Sequence, residues 1–416
     1  MVRALRVATA GSVDDGKSTL IGRLLHDTKT ILEDQWRAVE RASRRWGGGE
    51  LNLALLTDGL RAEREQGITI DVAHRYFATP RRSFIVADSP GHAQYTRNMV
   101  AAASTADVAV VLVDARHGVT EQTRRHAFIA ALVGVGQIVL AVNKMDLVAW
   151  DETRFRTIAD ELCAYLDALP SAPPLTAIPV SALHGDNVVD PSADAPWYGG
   201  PPLLTILEEL PGPATIDVGA RLDVQWCIRH PPTDFRAAAG RLSGGSLAVG
   251  DAVIVAPAGS VTRVTEIARG ARPVAVAEPG QAITVTLADQ VDVARGDVLL
   301  GATGSQVRPV TTTEVAADVC WMSEAPLRPD QRLWFKHGTR KGVATVARID
   351  HRVDVTTLAH EPAACLELND LARVVLTLAN PIVALPYREH PESGRLVLVD
   401  PATHATAAAA MIHHVA

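Results

Sequence analysis

Residues 11–18 are GSVDDGKS, which fits the phosphate-binding pattern GxxxxGK[ST]. The stretch follows an apolar run at residues 4–10 and opens residues 17–26, where Leu and Ile recur at helical spacing. A glycine loop between a strand and a helix points backbone N–H groups and a helix N-terminus at an anion. This order therefore predicts a nucleotide-binding loop at the first turn of an α/β domain.

The loop supplies the first group of candidate site residues. Lys17 is expected to reach the β- and γ-phosphates and to assist catalysis, and the Ser18 hydroxyl is expected to bind Mg²⁺. The residues expected to surround the phosphates are Gly11, Ser12, Val13, Asp14, Asp15, Gly16, Lys17, Ser18 and Thr19.

Short apolar runs alternate with helical patterns through the first half of the chain. Runs at 83–88, 107–114 and 137–143 end in polar residues, and residues 121–133 and 151–169 have helical spacing. This alternation predicts a doubly wound, mainly parallel sheet, whose ligands bind at the carboxyl ends of the strands.

A second motif, DSPGH, ends the 83–88 run and consists of Asp88, Ser89, Pro90, Gly91 and His92. Asp88 is expected to hold Mg²⁺ through water, the Gly91 N–H to sense the γ-phosphate, and His92 to orient the attacking water. Thr69, in QGIT between the two motifs, is the expected second hydroxyl on Mg²⁺, on a loop ordered by GTP.

The base is expected to be guanine. The motif NKMD, formed by Asn143, Lys144, Met145 and Asp146, follows an apolar strand. A carboxylate there accepts hydrogen bonds from guanine N1–H and the exocyclic amine, whereas adenine would leave it unpaired. The run Ser181, Ala182 and Leu183 is placed where a backbone N–H meets guanine O6.

The pattern changes after residues 197–213, which predict a last helix between two Pro/Gly-rich breaks. Short strands separated by turn residues, such as Gly250-Asp251 and Gly296-Asp297, are typical of small β-barrels or sandwiches. We therefore predict a GTP-binding domain at 1–213, a first β-barrel domain at 214–308 and a second at 309–416.

Composition narrows the functional classes. The net charge is -7 at pH 7, which disfavours a dedicated nucleic-acid binder. The four cysteines (Cys163, Cys227, Cys320 and Cys365) are far apart, so isolated buried thiols in a reducing cytosol are expected. The N-terminus lacks the apolar segment of a signal peptide, and no stretch approaches a membrane span. A cytoplasmic protein without membrane or nucleic-acid partners is expected.

With these motifs identified, the chain resembles the translation-factor class of GTPases, on RAEREQGITID, DSPGHAQYTRNM, VDARHGVTEQTRRH and NKMD. Within that class it is most similar to the large GTPase subunits of bacterial ATP sulfurylase (sulfate adenylyltransferase subunit 1). The segments that carry this closer resemblance are GSVDDGKSTLIGRLLHDTKTILEDQ, LNLALLTDGLRAEREQGITIDVAHRYF, DFRAAAGRLSGG and WFKHGTRKG.

The resemblance implies a GTPase subunit that hydrolyses GTP to drive synthesis of adenosine 5′-phosphosulfate and pyrophosphate from ATP and sulfate. Adenylyl transfer is then carried by a small partner subunit in a heterodimer or larger assembly. Some relatives carry a fused kinase, but this sequence has no second GxxxxGK[ST], so none is expected in this chain. Ser89 stands where the family usually has Thr, and Ala93 where an acid is common, which puts the rate of hydrolysis in doubt.

Two other interpretations stay open at this point. An elongation-factor-like GTPase that delivers aminoacyl-tRNA would share every nucleotide motif, although the acidic balance and the Asp14-Asp15 pair argue against it. A regulatory module that binds GTP without turnover is opposed by the presence of Lys17, Thr69, Asp88 and His92. We hypothesise that Asp14 helps to hold a monovalent cation (K⁺) near the β–γ bridge and so contributes to catalysis. Asp15 is expected to be a solvated loop acid.

Overall fold

The computed structural model describes residues 4–31, 37, 53, 71–92, 95–212, 218–230, 235–302 and 308–415. The chain divides into two units. One comprises residues 1–214 together with Asp354–Ala359, and the other comprises the remainder of the chain. In the described part of the chain, no helix is long and apolar enough to cross a membrane.

The first unit is built on a six-stranded sheet in the order β2-β3-β1-β4-β5-β6. All neighbouring strands are parallel except β2, which is antiparallel to β3. The strands are β1 Leu5–Ala10, β2 Ala73–Ala78, β3 Ser83–Asp88, β4 Val108–Asp114, β5 Gln137–Asn143 and β6 Leu175–Pro179. The helices are α1 Lys17–Asp27, α2 Thr96–Ala103, α3 Glu121–Leu132, α4 Glu152–Asp167 and α5 Leu203–Glu209.

Continuous burial explains why the central strands were predictable. All seven residues of β4, VAVVLVD, are buried, as expected for a strand covered by helices on both faces.

Side-chain caps define where two helices begin. The Thr120 hydroxyl accepts from the Thr123 N–H before α3, and the Asp151 carboxylate accepts from two N–H groups of α4.

The last helix lies between two Pro/Gly-rich breaks, as predicted. Within residues 197–213, α5 covers Leu203–Glu209. Pro202 stands directly before it, and Leu210 leaves the helical region with ψ of 133° immediately before Pro211. The residue before a proline is disfavoured in the helical conformation, which explains why the helix ends there.

The second unit contains two antiparallel sheets, each closed into a barrel. In the first, six strands run in the order β10-β15-β7-β8-β14-β11, and pairing of β10 with β11 closes the ring. Strand β12 flanks β11, and β9 pairs with β13. The strands are β7 Ala220–His230, β8 Phe235–Gly244, β9 Leu247–Ala248, β10 Ala252–Ala256, β11 Ser260–Arg269, β12 Arg272–Val274, β13 Val276–Ala277, β14 Ala282–Leu287 and β15 Val298–Gly301.

The second barrel has the order β17-β21-β22-β16-β20-β18, closed by pairing of β17 with β18 and flanked by β19. Its elements are β16 Val310–Trp321, β17 Arg332–His337, β18 Arg340–Val353, β19 His360–Glu361, β20 Leu371–Ala384, α6 Pro391–Gly394, β21 Arg395–Val399 and β22 Thr406–Val415. An α/β domain followed by two all-β barrels is therefore confirmed. The predicted boundary at 308/309 falls between β15 and β16, and the three domain limits remain predictions.

The two barrels touch through a buried arginine within the second unit. Arg221 on β7 is 1% exposed, donates to the Val383 carbonyl at 3.0 Å and pairs with Asp223 at 2.8 Å. Burying a guanidinium costs free energy unless its charge is paired and its N–H groups are hydrogen-bonded. Here Asp223 pairs the charge, and the Val383 carbonyl accepts a further hydrogen bond.

The expectation of buried thiols holds for one cysteine out of four. Cys320 is buried, whereas Cys163 is exposed and Cys227 and Cys365 are partly exposed; all four are free thiols. Cys163 lies on α4 and is not among the buried residues of that helix.

Candidate functional site

The motifs of the first unit meet at one edge of the parallel sheet. They follow the carboxyl ends of β1, β3, β5 and β6, which lie at the same edge because these strands are parallel. Gly16, directly before α1, has φ of 94°, and a Cβ there would collide with the side-chain nitrogen of Asn143. Both the backbone conformation and the lack of space therefore require glycine at this position.

Lys17 holds its charge at the centre of the glycine loop. Its side chain is buried, and Nζ donates to the carbonyls of Gly11 at 3.0 Å and Ser12 at 2.8 Å. Burial lowers the pKa of Lys17, whereas nearby carboxylates, with Asp88 the strongest, act in the opposite direction. The ammonium is thus a desolvated positive charge enclosed by the loop that is expected to bind phosphate.

Several other side chains of the loop are less enclosed than that of Lys17. Val13 is exposed, and Thr19 in the first turn of α1 is partly exposed. The Ser12 hydroxyl lies 3.1 Å from that of Thr120, the residue that caps α3. This contact ties the loop to the start of a second helix.

The prediction that Asp15 is a solvated loop acid is wrong. Asp15 is 6% exposed, and its carboxylate accepts the Ser12 N–H at 2.5 Å. Asp14 is the exposed acid, with φ of 69°. The backbone reverses at Asp14, so its side chain faces solvent and the next side chain lies beneath the loop. Burial raises the pKa of Asp15, while the Ser12 N–H and Lys17 act in the opposite direction.

A hydroxyl and a carboxylate lie together beside the loop. Ser18 Oγ donates to Asp88 Oδ2 at 3.4 Å, and Thr9 Oγ1 donates to Asp88 Oδ1 at 3.2 Å. Such oxygen ligands fit Mg²⁺, so the residues present suit the predicted ion. The Ser89 hydroxyl is buried and donates to the Thr9 carbonyl. Thr69 lies outside the described residues.

The DSPGH motif packs directly on the glycine loop. A Cβ on Gly91 would collide with Lys17 Nζ and lie 2.7 Å from the Gly11 carbonyl oxygen. Pro90 is buried, and His92 is exposed with its ring edge-on to Tyr95, the centroids 6.3 Å apart. The motif therefore brings the His92 backbone next to the loop while leaving the imidazole accessible.

Asn143 connects the three parts of the site. Its side-chain nitrogen donates to the Asp15 carbonyl at 2.7 Å, and its side-chain oxygen accepts the Ala182 N–H at 2.9 Å. The next residue acts in parallel, because Lys144 Nζ donates to the Asp14 carbonyl at 2.5 Å. Two consecutive loop carbonyls are thus held by two consecutive side chains of NKMD.

The carboxylate expected to read the base is accessible. Asp146 belongs to the short 3₁₀ turn Met145–Val148, in which Met145 is buried. The side chain of Asp146 is 21% exposed, with His184 Nε2 3.8 Å from its Oδ2. The group can therefore accept hydrogen bonds from an incoming ring.

The segment at 181–183 is held from below by α1. Arg23 Nε donates to the Ala182 carbonyl at 3.3 Å, and its guanidinium also contacts the Leu183 carbonyl. Ser181 is buried, whereas Leu183 is 41% exposed. Arg23 was not predicted as part of the site, because nothing local in α1 shows that it reaches the end of β6.

Sequence reasoning also missed His126. This residue on α3 is fully buried, and its Nδ1 accepts the Gly11 N–H at 3.1 Å, with the Gln122 amide 2.8 Å from Nε2. Burial lowers the pKa of His126 to about 3, and Lys17 contributes in the same direction. The imidazole is therefore neutral, with an unprotonated Nδ1. A histidine on the buried face of a helix gives no sequence signal of this role.

The other missed residue is Asp114, at the carboxyl end of β4. It is 2% exposed and lies 3.0 Å from Lys144 Nζ. A sequence signal existed, since Asp114 ends a buried strand just as Asp88 and Asn143 do.

Together these groups can perform three tasks. The loop N–H groups and Lys17 can bind an anionic phosphate chain, and Ser18 with Asp88 can hold a hard cation. Asp146 can accept two N–H groups from a base.

The chain is similar to several known proteins. Residues 2–215 match the model of the elongation factor Tu GTP binding domain, and residues 314–413 match the GTP-eEF1A C-terminal domain-like model. The bifunctional enzyme CysN/CysC of Mycobacterium tuberculosis is 51% identical over 420 residues, which cover 99% of this chain and 67% of that protein. Sulfate adenylyltransferase subunit 1 of Methylorubrum populi is 50% identical over 415 residues, which cover 99% of this chain and 87% of its own. The crystal structure of sup35 complexed with GDP superposes with a TM-score of 0.45 at 24% identity, over 100% of this chain and 94% of that one.

Proposed function

Because this chain belongs to the family of sulfate adenylyltransferase subunit 1, GTPases with the GTP-binding domain of elongation factor Tu, we propose that it couples GTP hydrolysis to sulfate activation. In this proposal ATP and sulfate are converted to adenosine 5′-phosphosulfate and pyrophosphate. A small adenylyltransferase subunit carries the adenylyl transfer, in a heterodimer or larger assembly. The relatives' designation as subunit 1 implies such a second subunit.

One observation carries the proposal. In a chain 50% identical to subunit 1 along its length, Asn143 joins the phosphate loop to the Ala182 backbone through two hydrogen bonds of 2.7 and 2.9 Å. A phosphate cradle and a base-reading segment held by one side chain support a single guanine-nucleotide site that can switch as a unit.

Coupling is physically needed because a sulfate–phosphate anhydride is a high-energy product. A GTPase can drive its formation only if the GTP and GDP states differ in their interaction with the partner. The γ-phosphate is the group that distinguishes the two states. Gly91, which packs on the loop beside Lys17, and the predicted switch residue Thr69 are the proposed sensors.

In the proposed site, loop N–H groups and Lys17 bind the β- and γ-phosphates, and Ser18 binds Mg²⁺, with Asp88 acting through water. The 3.4 Å contact between Ser18 and Asp88 supports this placement. When bound, Mg²⁺ supplies positive charge to the phosphate oxygens. Thr69 is proposed as the second hydroxyl ligand.

The proposed base contacts are the Asp146 carboxylate, for guanine N1–H and the exocyclic amine, and the backbone N–H groups of 181–183, for guanine O6. The accessibility of Asp146 supports this assignment. His92 is proposed to orient the attacking water, and its exposed imidazole beside the loop is consistent with that role. Asp14 is proposed to help hold K⁺, which its exposed side chain would permit.

The proposal is tested by mixing the purified chain with the small adenylyltransferase subunit of a relative and measuring pyrophosphate release from ATP and sulfate. GTP is expected to stimulate release, and a non-hydrolysable GTP analogue is expected to fail to sustain it. Tight GTP-dependent binding of aminoacyl-tRNA, without any effect on pyrophosphate release, would contradict the proposal and favour an elongation-factor-like activity.

A further inference from the structure

Asp114 is a buried carboxylate surrounded by positive charge. Arg116 donates to it from Nε at 3.0 Å and from Nη2 at 2.7 Å, Lys144 Nζ lies 3.0 Å away, and His117 Nδ1 lies 3.8 Å away. Burial alone would raise the pKa of Asp114, but the hydrogen bonds from Arg116 and Lys144 outweigh it and hold the pKa well below its usual value. The group is therefore a fixed negative charge.

Lys144 connects this charge to the phosphate loop. Its Nζ lies between Asp114 Oδ2 at 3.0 Å and the Asp14 carbonyl oxygen at 2.5 Å. Lys144 itself has φ of 63° and Asp14 has φ of 69°, conformations that cost energy for residues other than glycine. Two strained residues are thus joined through one ammonium group, and Asp114 is the anion that fixes its position.

The neighbouring contact shows why an anion is needed here. Asn143 holds the Asp15 carbonyl with a neutral amide, which is itself fixed by the Ala182 N–H. Lys144 holds the Asp14 carbonyl with a charged and flexible side chain, which loses rotamer freedom when it is fixed. A charge-assisted hydrogen bond that Lys144 donates to a buried carboxylate can offset that loss.

Arg116 contacts Asp114 but does not connect it to the phosphate loop as Lys144 does. Its side chain is 45% exposed, and the backbone around it is held separately, because Arg154 donates to the Ala115 carbonyl at 2.6 Å and to the Arg116 carbonyl at 3.0 Å. Loss of the Arg116 side chain would therefore leave the contact between Asp114 and Lys144 in place. This difference provides a matched control.

We propose that Asp114 is a positioning residue for nucleotide binding: it fixes Lys144 Nζ and thereby sets the spacing between the phosphate loop and the guanine motif. The inference rests on the proposed function only in taking GTP and GDP as the nucleotides. The inference concerns nucleotide binding by this chain alone. It can therefore be wrong while the chain still couples GTP hydrolysis to sulfate activation, and it can be right while that coupling is absent.

The test compares Asp114→Asn, Lys144→Gln, their double variant and the control Arg116→Gln in the full-length chain. Affinities for GDP and for a non-hydrolysable GTP analogue are measured by titration, and melting temperatures are recorded without nucleotide. Asp114→Asn and Lys144→Gln are each expected to weaken both nucleotides by about tenfold, the loss expected when one charge-assisted hydrogen bond is removed. The double variant is expected to be no weaker than Lys144→Gln, because Asp114 acts through Lys144.

Arg116→Gln is expected to change nucleotide affinity by less than about threefold, because Lys144 still contacts Asp114 and Arg154 still holds the backbone around residue 116. Additive losses in the double variant would overturn the proposal, as would a melting temperature lowered by Asp114→Asn without a change in nucleotide affinity. If Asp114→Asn does not fold, unchanged affinity in Lys144→Gln alone overturns it, since Lys144 is the residue through which Asp114 acts.

Discussion

The side-chain nitrogen of Asn143 donates to the backbone carbonyl of Asp15 across 2.7 Å, from the end of β5 to the glycine loop that follows β1. The two residues are 128 positions apart in sequence. Glycine at position 16 leaves the space that this amide fills, so the loop and the base motif depend on each other sterically as well as through the hydrogen bond.

This relationship predicts the effect of Gly16→Ala. The substitution places a Cβ against the Asn143 side chain at φ of 94° and should destabilise the chain by more than the roughly 1–2 kcal/mol that this conformation costs by itself. The matched control is Gly250→Ala, which has the same φ and no atom within 4 Å of the added Cβ. Urea unfolding and GDP titration should show a larger loss for Gly16→Ala; equal losses would contradict the steric argument.

Replacing Asp146 should change which base is preferred. Asp146→Asn is expected to weaken GTP by at least about tenfold, because the amide cannot accept both guanine N–H groups. Xanthosine triphosphate should become preferred, since its O2 accepts where guanine donates. Asp194→Asn, an exposed position, is the control. Competition titration with the two triphosphates measures the preference, and an unchanged preference for GTP would refute the base contact.

Replacing His92 should separate binding from hydrolysis. His92→Ala is expected to retain GTP affinity, because the imidazole is exposed and the phosphates are held by the loop N–H groups and Lys17. Hydrolysis should slow by at least about a hundredfold if the ring positions the attacking water. Single-turnover phosphate release gives the rate, and His92→Gln should be intermediate. Equal loss of binding and hydrolysis would indicate a structural histidine.

The cation hypothesis predicts a difference between salts. GTP hydrolysis should be faster in K⁺ than in a bulky organic cation at equal ionic strength, because the added positive charge stabilises the transition state. Asp14→Asn should abolish that difference, while Asp15→Asn should retain it, since the Asp15 carboxylate is buried under the loop. If the unmodified chain hydrolysed GTP at the same rate in the two salts, the cation hypothesis would be refuted.

Acid should destabilise the chain through His126. Its pKa is about 3 when folded against 6.5 when exposed, so below pH 6.5 the unfolded chain takes up a proton that the folded chain does not. This contribution is fully present above pH 6.5 and is lost towards pH 3, by up to about 1.4 kcal/mol per pH unit. His126→Asn, which does not titrate and places an amide oxygen near Nδ1, should show a shallower loss in urea unfolding. If the free energy of unfolding fell equally with pH in the variant and in the unmodified chain, this role of His126 would be contradicted.

The parts of the fold that the sequence predicted share a physical cause. Strands β4 and β5 are covered on both faces, so their apolar runs are continuous. Strand β2, an antiparallel edge strand with alternating exposure, has no such run and was not predicted. Helix α5 was predictable because Pro/Gly-rich segments stand on both sides of its apolar run.

The site was predictable where a motif is local and not where it depends on contacts between distant segments. The glycine loop, DSPGH and NKMD are contiguous, and the structure brings them together. The burial of Asp15 depends on the positive φ of Asp14, which no residue pattern reveals. The role of His126 depends on α3 packing its buried face against the Gly11 backbone.

The first and last strands are both interior members of their sheets. Strand β1 lies between β3 and β4, and β22 lies between β16 and β21. Neither can fray without exposing the backbone edges of two neighbours. On a ribosome, the second barrel cannot close until residues 406–415 have left the exit tunnel, more than ninety positions after β16 begins. An affinity tag or a protease cut within β22 should therefore prevent the whole second barrel from folding. The same change in a segment between strands should be tolerated.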